Sequence, residues 1–166
     1  LLTQQEMRSY IALQGHDWPD YTILKHNEFK VEPNANYQSA FKMLVEGLAD
    51  YFPRGAMEIH DDMKNYGHLG LQIEEKHLIY YPTAAYFFVN KNNEQLASII
   101  EKGLLMAIEN GAFDAVFQRH FNQRLDKLNL NNRVVHKLEN PLLPIDTPLN
   151  NSKLWFTLPN KHSEAL

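Results

Sequence analysis

The chain has 166 residues, with 16 Lys and Arg against 20 Asp and Glu, a formal net charge of −4 and a pI near 6.1. That balance excludes a dedicated nucleic-acid surface, which needs clustered positive charge. The absence of cysteine excludes a disulfide framework, a thiolate nucleophile and thiolate metal ligation.

Thr3-Gln4-Gln5-Glu6 has the form of a capping box and predicts a short helix ending near Arg8. Tyr10–Leu13 reads as a strand leading to Gly15. Asp17-Trp18-Pro19-Asp20 then enters a helix, with proline in the first turn where its missing donor is no loss, and the helix runs to about Asn27. Phe29–Val31 is a short strand closed by a Pro33-Asn34 turn. From Asn36 to Ile59 the chain reads NYQSAFKMLVEGLADYFPRGAMEI. Ala40, Phe41, Leu44, Val45 and Leu48 recur at helical spacing, and Gly47 marks the helix end. Ala49–Phe52 is an apolar strand, stopped by Pro53 and delivering Arg54 at its carboxyl edge.

Ile59–Tyr66 is a polar helix ending at Gly67, and Leu69–Ile73 and His77–Tyr81 read as strands. Tyr86–Val89 has the continuous aromatic and β-branched pattern of a buried strand. Asn90–Asn93 turns into the helix Glu94–Glu109, with Leu96, Ile99, Ile100, Leu104 and Ile108 on one side and Asn110-Gly111 as its stop. Phe113–Phe121 is a further helix that Arg124–Leu128 extends. Prolines 141, 144 and 148 prevent long regular elements after Asn129, so residues 130–158 read as an extended tail over the body, pinned by Trp155, with 160–166 frayed. Alternating strands and helices predict an α/β fold with parallel pairing. No apolar run approaches the roughly 20 residues that span a bilayer.

Arg54 is the foremost site candidate. Its planar fork of donors suits a carboxylate or other anion; the competing reading is a structural bridge to Asp50 or Glu58. The turn Gly15-His16-Asp17-Trp18 is the second candidate. At a strand-to-helix junction its free backbone donors and the helix dipole favour an anion, and Trp18 can close over it; the alternative is a plain turn with Asp17 as N-cap and Trp18 in the core. Tyr37, Tyr80, Tyr81, Tyr86, Phe87 and Phe88 either line a cleft or form core, with Tyr80–Phe88 expected to cluster around Pro82. His60-Asp61-Asp62 and His68 are metal-ligand types, but consecutive helical residues do not face one another, so a solvated helix face is the favoured reading and no metal site is expected. None of the serines sits in a Gly-x-Ser-x-Gly elbow, and no phosphate loop or dinucleotide fingerprint is present, so neither an enzyme nor a cofactor is expected.

AFKMLVEGLADYFPRG, residues 40–55, resembles the second-lobe helix and strand of type II periplasmic solute-binding proteins, close to the amino-acid-binding family 3. YFFVNKNNEQLASIIEKGLLMAIENGAFDAVFQRHF, residues 86–121, resembles that family's return strand, paired helices and closing aromatic motif, and with Leu13-Gln14-Gly15 the resemblance covers most of residues 7–121. It implies a type II periplasmic-binding-protein-like α/β fold: 1–8 as the hinge approach, 9–84 as the ligand-binding lobe two, 85–129 as the return strand and helices of lobe one, and 130–166 as the tail. The lobe-one start of the family has no match here, so the chain is expected to be the second half of a longer protein without its signal peptide. A missing lobe-one segment, or a second copy of the chain, would then cover the apolar neighbours. The implied function is the substrate-binding component of a bacterial ABC-type uptake system in the periplasm, partnered by a membrane permease and its ATPase. The family's acidic residue at the strand end is replaced near that place by Arg54, which favours an anionic or carboxylate-rich solute. A ligand-sensing domain of a membrane signalling protein is the alternative.

Overall fold

The computed structural model describes residues 1–158 as a mixed α/β chain, and the expected fraying of 160–166 lies outside the described residues. Helix α1, Gln4–Met7, starts on the expected capping box: the Thr3 hydroxyl accepts from the Glu6 amide at 3.2 Å and the Glu6 carboxylate accepts from the Thr3 amide at 2.7 Å. Strand β1, Ile11–Gly15, runs through helix α2, Pro19–His26, to β2, Lys30–Asn34, which pairs with it in parallel. Helix α3, Tyr37–Val45, is capped by the Asn36 side chain and ends before Gly47, whose φ of +73° a β-carbon would strain.

Strand β1 is buried on both faces, the mark of a central parallel strand. Ala12 packs with Met7, Leu24, Phe29 and Leu138, while Leu13 faces the other way onto Ala40 and Ala49. Helices α2 and α3 therefore cover opposite sides of one strand. Three expectations near it change. Pro33-Asn34 is not a turn: it continues β2, with Pro33 opposite Gln14, which an edge strand tolerates because one side of it makes no ladder bonds. Ala49–Phe52 is not a continuous strand. It touches β1 through a single parallel bridge, Ala12 to Tyr51, with the Leu13 amide donating to the Tyr51 carbonyl at 2.8 Å. The Asp50 carboxylate, not a backbone carbonyl, takes the Ile11 amide at 2.6 Å, so a side chain interrupts the ladder. Leu69–Ile73 is irregular after the 3-10 turn Gly67–Leu69 that follows helix α4, Ile59–Tyr66.

Strand β3, His77–Tyr80, pairs in parallel with β4, Val134–Lys137, inside the segment expected to be only a tail. The Leu138 amide donates to the Tyr80 carbonyl at 2.8 Å and its side chain enters the β1 core. Asn27 and the Glu139 backbone exchange bonds of 2.8 and 3.0 Å that hold this segment on α2.

Helices α5, Glu94–Glu109, and α6, Ala112–Asp126, meet at Gly111. Arg124 ties α6 to the α4 end, donating to the Met57 carbonyl at 2.6 Å and pairing with Asp61 at 2.7 Å. Trp155 lines a surface cavity of about 320 Å³ with Ile108, Gly111 and Lys153, so the tail lies across the α5–α6 junction. Tyr86–Val89 is neither a strand nor buried: Phe88 is 94% exposed, and no strand pairs with it among the described residues. No residue of α5 is buried, although its apolar stripe is present in the sequence.

Candidate functional site

The carboxyl end of β1 is where the expected site residues meet. Gly15 is buried there because Trp18 folds back onto it. A β-carbon on Gly15 would stand 2.5 Å from the Trp18 ring, so only glycine lets the indole lie over the strand end. Trp18 is itself the N-cap of α2 and makes no side-chain cap bond, with Pro19 as the first helical residue. Asp17 therefore does not cap the helix, and Trp18 is half-buried rather than core. His16 and Asp17 are exposed at the rim. The His16 amide donates to the Asn34 carbonyl at 2.9 Å, which ties the turn to the end of β2, and the Asp17 amide makes no backbone hydrogen bond among the described residues.

Arg54 reaches the same place from Pro53. Its Cζ lies 5.1 Å from the Trp18 ring centroid, 5.2 Å from Tyr37 and 5.2 Å from Phe52, within cation–π range of all three. Its Nε donates to Asp62 Oδ2 at 2.7 Å and its Nη2 stands 2.9 Å from Glu58 Oε2. The Tyr37 hydroxyl donates to the other oxygen of Asp62. Burial opposes the guanidinium charge, but the Asp62 hydrogen bond and the Asp62 and Glu58 charges hold its pKa above the ordinary arginine value. Burial and the same carboxylate push the Tyr37 phenol up to about 12.

The bridge to Glu58 is thus present, whereas Asp50 is turned to β1. Asp62 overturns the solvated-face reading of His60-Asp61-Asp62. It is buried, Asp61 is held by Arg124 and by Lys64 at 2.9 Å, and His60 Nε2 lies 3.2 Å from the Arg124 carbonyl. The face meets α6 and the Arg54 cage, neither of which a local pattern reveals. Among the described residues no three His, Asp or Glu side chains converge as metal ligands.

The aromatic cluster also moves. Tyr81 donates to Asp20, Tyr80 donates to the Phe156 carbonyl at 3.3 Å, and Tyr86, Phe87 and Phe88 are exposed. The rings that cluster are Trp18, Tyr37, Phe41, Phe52 and Tyr66, with Phe41 stacked on Tyr66 at 3.9 Å. Asp62, Phe52, Phe41 and Tyr66 are members that sequence reasoning missed. Four-residue spacing was no guide to the Arg54–Glu58–Asp62 grouping, because Arg54 lies in irregular chain ahead of α4, which starts at Ile59.

No protein-family model, curated protein or solved structure matches the chain. The chemistry of the site therefore rests on its geometry. The guanidinium is flanked by aromatic faces and its side chain is 12% exposed; Nε is taken by Asp62, Nη2 meets Glu58, and Nη1 makes no hydrogen bond among the described residues. The Trp18 ring, which belongs to the N-cap residue of α2, links the guanidinium to this turn, whose Asp17 amide makes no backbone hydrogen bond among the described residues. The wall is open rather than enclosed: Tyr37 is 37% exposed. Such a wall suits recognition of a small polar solute carrying a carboxylate and an apolar or planar part.

Proposed function

We propose that this chain supplies the ligand-binding wall of a two-lobed solute-binding protein of a bacterial ABC-type uptake system, taking a small polar or anionic solute. The observation that carries this reading is the meeting of Arg54 with Trp18 and Tyr37 beside the Gly15–Trp18 turn, at the carboxyl end of the central strand, where open α/β sheets hold ligands. The sequence resemblance of residues 40–55 and 86–121 to type II solute-binding proteins supports the fold assignment. On this reading, residues 9–84 are the second lobe, residues 85–129 belong with the first, and ligand capture closes the two by a hinge. The protein works in the periplasm beside a permease and its ATPase, and no covalent chemistry is involved.

The test is a thermal-shift screen of amino acids, carboxylates and small peptides, followed by calorimetry on Arg54→Ala. The variant loses about 2 kcal/mol of binding free energy or more, because a charge-assisted bond in a partly desolvated site is removed. Unchanged affinity counts against the reading.

A further inference from the structure

Two carboxylates share the Arg54 guanidinium, and they are not equivalent. Asp62 is buried, takes Nε at 2.7 Å and also accepts from the Tyr37 hydroxyl, so it is fixed from two sides. Glu58 is 59% exposed at its side chain and makes one contact, 2.9 Å to Nη2. It precedes α4 as the N-cap but makes no side-chain cap bond, so nothing else among the described residues holds its carboxylate. The carboxylate rests over Gly55, where a β-carbon would stand 3.2 Å from Oε2.

We infer that Glu58 is an internal surrogate for the ligand's carboxylate: it occupies the outer edge of Arg54 until a carboxylate-bearing solute displaces it. This inference rests on the reading of Arg54 as the anion anchor and names the chemistry it selects. With Nε committed to Asp62, the remaining fork is the Nη1–Nη2 edge, whose two parallel donors match one planar carboxylate. Binding without displacement would crowd three carboxylates around one guanidinium. Exchange of one carboxylate for another leaves the local charge unchanged and returns Glu58 to water, where it is already mostly solvated. The buried Asp62 has no such route out. Glu58 thereby sets a threshold: a solute must bind the Nη1–Nη2 edge better than an exposed, singly held glutamate does.

The experiment is an acetate titration of the 166-residue chain at constant ionic strength, followed at the Arg54 Nε–H resonance and the Glu58 side-chain carboxyl carbon. In the wild type both signals move along one curve. Glu58→Gln removes the competitor, and Glu58→Asp keeps the charge but is a methylene too short for the contact. Both lower the apparent dissociation constant of acetate by about two- to five-fold, the range of an exposed ion pair. Equal affinity in wild type and Glu58→Gln overturns the inference. So does tightening by Glu58→Gln without Glu58→Asp, which would be a charge effect alone. An Arg54 resonance that acetate moves in none of the three proteins overturns the anion-anchor reading as well, which separates that failure from the failure of displacement alone.

Discussion

Asp62 is the side chain on which the position of Arg54 depends. It bonds both Arg54 Nε and the Tyr37 hydroxyl from a buried site. Asp62→Ala would leave two partly buried donors without their acceptor, and we expect a loss of about 2–4 kcal/mol in urea unfolding. Gly15→Ala places its methyl against the Trp18 ring, so either the indole leaves or the strand end shifts. The expected loss is about 1–3 kcal/mol, with a change in Trp18 fluorescence as the ring moves off Arg54. Part of this site was readable from sequence, because Arg54 follows Pro53, Gly15 ends a strand and Trp18 precedes Pro19, local breaks that proline or glycine announces. Asp62 was not readable in the same way. A carboxylate in a polar helix gives no local sign of which neighbour will bury it.

Elements follow the same division. The β1–α2–β2 unit and helices α3, α4 and α5 come from periodicity and caps that act within a few residues. Strand β4 is four residues long, and its partner β3 begins 57 positions earlier, so only tertiary pairing distinguishes Val134–Lys137 from loop. Tyr86–Val89 shows the converse: an apolar run states a preference for burial, and without a pairing strand among the described residues it stays exposed.

The β3–β4 pair also carries a pH prediction. His77 stacks on His136 at 5.5 Å, its Nε2 accepts the Leu2 amide at 2.9 Å, and its Nδ1 faces Glu74 at 3.2 Å. Arg133 Nη1 donates to the His77 carbonyl at 3.0 Å from the other side. His136 is buried with Nε2 unpartnered among the described residues, and burial, followed by the charge of His77, holds its pKa below the ordinary histidine value of 6.5. The unfolded chain then binds the proton more readily than the fold does. This contribution is therefore present above pH 6.5 and is lost as pH falls below it. The urea midpoint is expected to drop between pH 7.5 and 5.5, and His136→Phe to flatten that dependence.

At the scale of the molecule, the segment 86–88 and helix α5 leave large apolar side chains exposed. Phe87 is 70% exposed, Phe88 94%, and Ile99 and Met106 of α5 are 59% and 63% exposed. Surface of this kind drives association. Sedimentation velocity is expected to show concentration-dependent self-association that the double substitution Phe87→Asp, Phe88→Asp weakens. Because both rings are already in solvent, that variant changes folding stability by no more than about 0.5 kcal/mol. The mixed helix-and-strand character was within reach of the sequence, since strands and helices alternate. The contacts that join α6 to α4, through Arg124, and β4 to the β1 core, through Leu138, were not, because each links residues far apart in the chain.

The unity of the binding wall is measured most directly by titrating the labelled chain with the best solute of the thermal-shift screen while following the Gly15, His16 and Asp17 amides, the Trp18 indole N–H and the Arg54 Nε–H together. One dissociation constant for all five, abolished throughout by Arg54→Ala, is the predicted result. A solute that shifts the turn without moving Arg54, or that binds Arg54→Ala as tightly as the wild type, would contradict it.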